Sequence, residues 1–216
     1  LLLSTNNDNT AMGRESLASN VGGASNTGLG IYAGFGNATG SANVYVGSSA
    51  GKGVANNNNS NNVGIGKDAM VAVTTGSSNT ALGKDSSAAM TDGHNNVAIG
   101  NNSLEASTSV GYAVAIGNDA MVNGNATADA DGAIAIGASA GAALVSSQGT
   151  TAIGYRALAA EDDGDFSTAV GYDALFAQTG TSGNVYNTAL GYKAGTAITT
   201  AINNTIVGAL ALDAND

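Results

Sequence analysis

The sequence predicts an all-β protein, a parallel β-roll (a flattened β-solenoid) of about twelve rungs of 17–20 residues each. Three observations predict it. A short motif closing on Gly recurs along the whole chain at nearly constant spacing. Inside the motif, β-branched or apolar residues alternate with small ones, the period-two signal of a strand. Gly falls inside every unit, at about 1 kcal/mol per site in a helix, which nearly excludes helices.

The motif is clearest at Asn79-Thr80-Ala81-Leu82-Gly83-Lys84-Asp85-Ser86-Ser87. Its closing Gly falls at Gly13, Gly30, Gly47, Gly66, Gly83, Gly100, Gly117, Gly137, Gly154, Gly171, Gly191 and Gly208. Most steps are 17 residues, with one of 19 and two of 20. The rungs run from about Asn9 to Leu212, so residues 1–216 read as one repeat domain with no remainder for a second. Insertions fall at Lys52–Asn61, Val122–Gly132 and Phe176–Tyr186 and are expected to bulge from one face. Leu1-Leu2-Leu3 is too short and lacks the basic flank of a signal peptide. We expect the chain to begin inside a longer protein.

Each column of the repeat has its own chemistry. The opening column is Asn in eight copies, and Ala113, Ala133, Thr150 or Ser167 in the others. An amide ladder up the rod or a turn-capping role would each explain it. The second column holds only Thr, Val or Ile. The third is mostly Ala or Gly, with Tyr45 and Ile206 as exceptions. The fourth is always apolar, from Met12 to Val207. We expect this fourth column to fill the roll and the small third column to face a second surface, most simply another copy of the chain. After the Gly come two variable positions, then a column of only Ala or Ser, then mostly Leu, Met or Gly. A second short extended piece is expected there, as at Met70-Val71-Ala72-Val73-Thr74, with Thr74-Thr75-Gly76-Ser77-Ser78 turning the chain back. The uniform Gly implies a corner with positive φ, or a neighbouring wall too close for a Cβ.

Composition bounds the function. Charged residues are 10% and aromatics 5%, with 32 Gly and no Pro, Cys or Trp, so an ordinary Leu/Phe core is not available. A net charge of −10 and pI near 4.1 exclude a basic nucleic-acid surface and disfavour anionic lipid. No apolar run approaches the length of a membrane span. Disulfides and thiolate metal sites are ruled out.

Asn187-Thr188-Ala189-Leu190-Gly191-Tyr192-Lys193-Ala194-Gly195 and Asn96-Val97-Ala98-Ile99-Gly100 resemble the repeats of YadA-like head domains, found in trimeric autotransporter adhesins, with similar repeats in bacteriophage tail fibres. The resemblance covers nearly the whole chain. It implies a left-handed parallel β-roll, three chains side by side about a threefold axis, and a role in attachment to surfaces. The implied setting is extracellular, on a virion tail fibre or alternatively a bacterial cell surface. The implied partners are two further copies and a cell-surface glycan or protein receptor. The 17-residue period is longer than the bacterial head pattern.

Catalytic candidates are few. His94 is the only His and sits in a turn, Cys is absent, and no Ser has a His and acid partner in a repeated context. Glu161-Asp162-Asp163-Gly164-Asp165 and Asp129-Ala130-Asp131-Gly132 read as solvated turns, with a bound cation the alternative. We expect no enzyme, metal or cofactor. Tyr155, Tyr172 and Tyr192 share the column after the corner Gly. They read as a packing ladder between rungs and are also the candidate receptor contacts, since exposed rings can hold sugars by their faces. Arg14, Lys67, Lys84, Arg156 and Lys193 lie in the two corner columns, with acids beside them. Cross-rung or cross-subunit pairing is expected. An ice-binding solenoid would need a regular Thr-x-Thr array, which is absent, and a polysaccharide-cleaving one would need carboxylates recurring in a cleft.

Overall fold

The computed structural model describes residues 8–123, 130–179 and 183–213. Leu1-Leu2-Leu3, Asp129 and parts of the second and third insertions lie outside them. Twelve strands of three residues form one sheet, all parallel, each hydrogen-bonded to the next in chain order. They are β1 (Thr10–Met12), β2 (Thr27–Leu29), β3 (Val44–Val46), β4 (Val63–Ile65), β5 (Thr80–Leu82), β6 (Val97–Ile99), β7 (Val114–Ile116), β8 (Ile134–Ile136), β9 (Thr151–Ile153), β11 (Thr168–Val170), β13 (Thr188–Leu190) and β14 (Thr205–Val207). The third insertion adds β12 (Gly183–Asn184), which pairs in parallel with β10 (Gly164–Asp165) in a separate two-stranded sheet. Twelve stacked strands make about eleven turns of solenoid, a rod about 50 Å long at ~4.8 Å per rung. The all-β parallel solenoid read from the repeat is therefore the fold.

Register stacks like on like. Val97 lies opposite Val114, Ala98 opposite Ala115 and Ile99 opposite Ile116. Each rung is thereby locked to its neighbours by the same ladder of backbone bonds, the nearest-neighbour logic of a solenoid.

The sidedness of the strands is the reverse of the expectation. The third column is the interior one: Ala81, Ala98, Ala115, Ala135, Ala152, Ala169 and Ala189 are fully buried. The apolar fourth column faces outward, with Met12 68% and Val207 65% exposed at the two ends of the sheet. The reason lies on the opposite wall. Leu17, Met70, Leu104, Met121, Leu158 and Leu175, four residues after the corner Gly, project into the roll and fill it. Facing them, only a methyl group fits.

That opposite wall is not the second strand expected at residues 70–74. It is a run of turns, in which the second and fourth residues after each corner adopt left-handed backbone; Asp68 has φ 57° and Met70 φ 54°. Such residues cost roughly 1–2 kcal/mol each outside Gly. Inter-rung bonds compensate, for example Met70 N–H to the Ser86 carbonyl at 2.9 Å and Leu104 N–H to Ala120 at 2.9 Å. Left-handed residues tighten the wall enough to swing a Leu or Met inward.

Volume is matched where the columns vary. Tyr45 replaces Ala in the interior column and is fully buried. A Cβ on Gly34 or Gly64 would lie 3.1 or 2.9 Å from its ring, and one on Gly51 would run into it. Ile206 is likewise accommodated by Gly195, whose Cβ would lie 2.8 Å from Ile206 Cδ1. Close-packed interiors permit such an exchange only when the gain and the loss are adjacent.

The corner Gly combines both constraints. Gly100 has φ 135°, and a Cβ there would sit 2.6 Å from the carbonyl carbon of Gly117 in the next rung.

Candidate functional site

The outward side of the sheet carries two chemically uniform columns along the rod. Its second-column residues are Thr, Val or Ile in all twelve strands, and its fourth-column residues are Met, Leu, Val or Ile. No charged residue interrupts these two columns. Leu82 and Leu190 are 44% and 50% exposed in the interior of the row. Burial alternates from five residues before the corner Gly to one residue before it, and the chain is exposed again just past the corner in the tyrosine rungs. In the rung ending at Gly171, Ser167 and Ala169 are buried, while Phe166 and Tyr172 are exposed at the margins and Thr168 and Val170 half-buried between them.

The tyrosines predicted to share a column stand one above another. Tyr155 and Tyr172 have ring centroids 5.0 Å apart at 26°, and Tyr172 and Tyr192 5.5 Å apart at 30°. The faces of Tyr172 are therefore covered by its neighbours, and the ladder offers solvent mainly ring edges and phenol groups. The Arg156 guanidinium lies 5.2 Å from the Tyr155 centroid and 4.4 Å from that of Phe176. Lys193 lies 5.5 Å from the Tyr192 centroid. This geometry favours packing of rungs over face-on sugar binding.

Charges at the corner pair in two ways. Arg156 grips Asp173 of the next rung in two-pronged fashion, at 2.9 and 3.0 Å. Lys67 and Lys84 instead pair within their own rungs, with Asp68 and Asp85.

The Asn column is a ladder and a cap together. Asn79 Oδ1 accepts both the backbone N–H and the side-chain amide of Asn96 at 3.0 Å. Asn79 Nδ2 donates to the Gly93 carbonyl at 2.7 Å, tying down the turn. The first insertion does not simply bulge outward. It sends Asn59 inward to accept the Tyr45 hydroxyl at 2.6 Å, and Asn57 to donate to the Val73 carbonyl at 3.0 Å. Burial of Tyr45 pushes its hydroxyl pKa up.

The acidic run from Glu161 is not wholly a solvated turn. Asp162 is exposed, but Glu161 is fully buried. One carboxylate oxygen accepts the Gly164 N–H at 2.6 Å and the other accepts from the Gln178 side-chain amide. Gln178 in turn donates to Ser167 at 3.0 Å and accepts from Asn187 at 2.8 Å. Burial holds the Glu161 carboxyl above the usual carboxylate range. Among the described residues no group of three or more His, Asp or Glu side chains is placed to hold a metal ion. His94 sits edge-on to Tyr112, with centroids 5.2 Å apart.

Sequence reasoning missed a second aromatic stack. Phe166 and Tyr186 stack at 5.6 Å and 14° at the other margin of the strand face. Both stand five residues before a corner Gly, the shared offset that could have revealed them. Among the described residues no helix is long and apolar enough to cross a membrane. No family model, curated protein or solved structure matches the chain.

Proposed function

We propose that the chain is a non-enzymatic segment of an extracellular attachment fibre, a bacteriophage tail-fibre roll that contributes to host-surface adhesion. In this reading three copies stand side by side about a threefold axis, each a left-handed roll. The carrying observation is the outward strand face, twelve rungs of Thr, Val, Ile, Leu and Met without a charge. The two charge-free columns cover about 50 by 10 Å, ~500 Å², and margins of mixed polar, charged and aromatic residues widen the face to ~20 Å, on the order of 1,000 Å². The largest apolar patch on a typical monomer is about 300–600 Å² and is often functional, so this face stands at the upper end of that range. Stable interfaces take about 800 Å² from each partner. Association through this face replaces the third-column contact suggested by the sequence, since that column is internal. The YadA-like resemblance of the repeats supports the fibre role, and an acidic, elongated roll suits a fibre component.

Sedimentation equilibrium tests the assembly. We expect three times the 20.8 kDa chain mass, and a monomer would overturn it. Ile99→Glu should keep the β-type circular dichroism spectrum but sediment as a monomer. For adhesion, fluorescently labelled protein should be retained on intact bacterial cells of a susceptible strain. Equal retention on all strains tested would overturn a receptor role.

A further inference from the structure

We propose that an aromatic seam closes the assembly near the C-terminal end of the rod, with Tyr172 of one copy packed against Phe166 of the next, and Tyr192 against Tyr186. The inference rests on the threefold reading above and adds residues and direction to it.

Two adjacent rungs carry an exposed aromatic at both margins of the outward face. The rung ending at Gly171 has Phe166 at the start margin and Tyr172 at the end margin, 40% and 45% exposed. The rung ending at Gly191 has Tyr186 and Tyr192 in the same places, 49% and 48% exposed. Within one copy these residues form two separate stacks, Phe166 on Tyr186 and Tyr172 on Tyr192. Each stack is ordered along the rod and leaves its ring edges outward. Three identical faces turned towards one axis bring the start margin of each copy to the end margin of the next, a head-to-tail contact. The two stacks then bury aromatic surface against each other, and aromatic side chains dominate interface energetics.

Charge suits the same direction. At the end margin Arg156 is already paired with Asp173 of its own copy, which leaves Lys193 beside the tyrosines, whereas Asp165 stands beside Phe166 at the start margin. Among the described residues Lys193 makes no ion pair; its ammonium lies over the Tyr192 ring. A cation placed there faces the margin that carries the aspartate.

The chain has no Cys, so paired cysteines report the contact cleanly. The test is Phe166→Cys with Tyr172→Cys, and separately Tyr186→Cys with Tyr192→Cys. Each is oxidised and run on a non-reducing gel beside its single variants, with sedimentation of the reduced protein in parallel. We expect a covalent trimer from either double variant and none from the singles. Tyr112→Cys with Tyr192→Cys, at margins several rungs apart, should give none. Reduced protein that sediments as a trimer but fails to cross-link in both pairs overturns the seam and leaves the threefold reading intact. So does cross-linking by a single variant. Wild-type protein that sediments as a monomer or dimer overturns the threefold reading itself, and the seam with it.

Discussion

The rungs before Ala113 and those from Ala113 to Ser167 reach the same backbone by different means. In the first group six consecutive Asn, from Asn9 to Asn96, run an amide ladder through the rod. In the second group the ladder is gone, and the interior is almost all Ala, Leu and Met. Thr150 retains one of its bonds, from Oγ1 to the Gly164 carbonyl at 3.2 Å. Beyond it, the buried Glu161–Gln178 pair connects the apolar stretch to the ladder that resumes at Asn187 and Asn204. The lesson is that rung geometry is set by the corner and the turns. The column beside the strand only has to satisfy or avoid buried polar groups, and either solution serves.

If the corner is what the two regions share, disturbing it should be equally harmful in both. Gly100→Val and Gly154→Val should each lose about 1–3 kcal/mol from backbone strain alone, and more from collision with the next rung. Asn101→Val should change the melting temperature little. Similar melts for Gly100→Val and Asn101→Val would show that the corner is not the shared determinant.

Removing a ladder member should separate the regions. Asn79→Ala leaves the Asn96 N–H and the Gly93 carbonyl without their side-chain partner, at about 1–3 kcal/mol per buried group. Thr150→Ala in the second region frees one carbonyl and should cost nearer to 1 kcal/mol. Urea melts giving equal losses would mean that the ladder is not what distinguishes the two regions.

The third effect is confined to the junction. Glu161 has a folded-state pKa raised by burial. The folded state therefore holds its proton more tightly than the unfolded chain. Its contribution is greatest below the unfolded value near 4.5 and is lost as pH rises through the raised folded value. Thermal stability should fall over that window in wild type, and Glu161→Gln should flatten the fall whatever its effect on the baseline. An unchanged slope in the variant would assign the pH dependence elsewhere.

The smallest effect should come from the corner charges. Lys84→Ala removes an exposed pair with Asp85 and should cost less than about 1 kcal/mol in either salt or water. A larger, salt-sensitive loss on assembly would place that lysine in a contact between copies.

The repeat, its register and its corners were legible because they are backbone constraints, and a backbone constraint shows as an identity such as the Gly column. Sidedness was not legible. Alternation establishes that Ala98 and Ile99 face opposite ways, but not which of them faces in. Leu104 decides it, from a left-handed turn position at φ 56° that a Leu residue does not advertise. The same turns were mistaken for a strand because Met70-Val71-Ala72-Val73 is rich in β-formers. Glu161 was read as solvated from its acidic neighbours, although only the chain path shows that it turns inward. Phe166 and Tyr186 escaped notice because they stand before the opening column, where most other rungs hold Asp, Ser, Ala, Asn or Gly.

Like-on-like register makes the rod a ruler. Excising residues 84–100 joins Gly83 to Asn101 and returns every column to its own kind, so the particle shortens by one rung, about 4.8 Å, with no new packing problem. Length is thereby quantised in the gene, one 17-residue segment per step. A lineage carrying this chain can tune the length of the roll by duplication or loss of a segment, without redesigning any part of it.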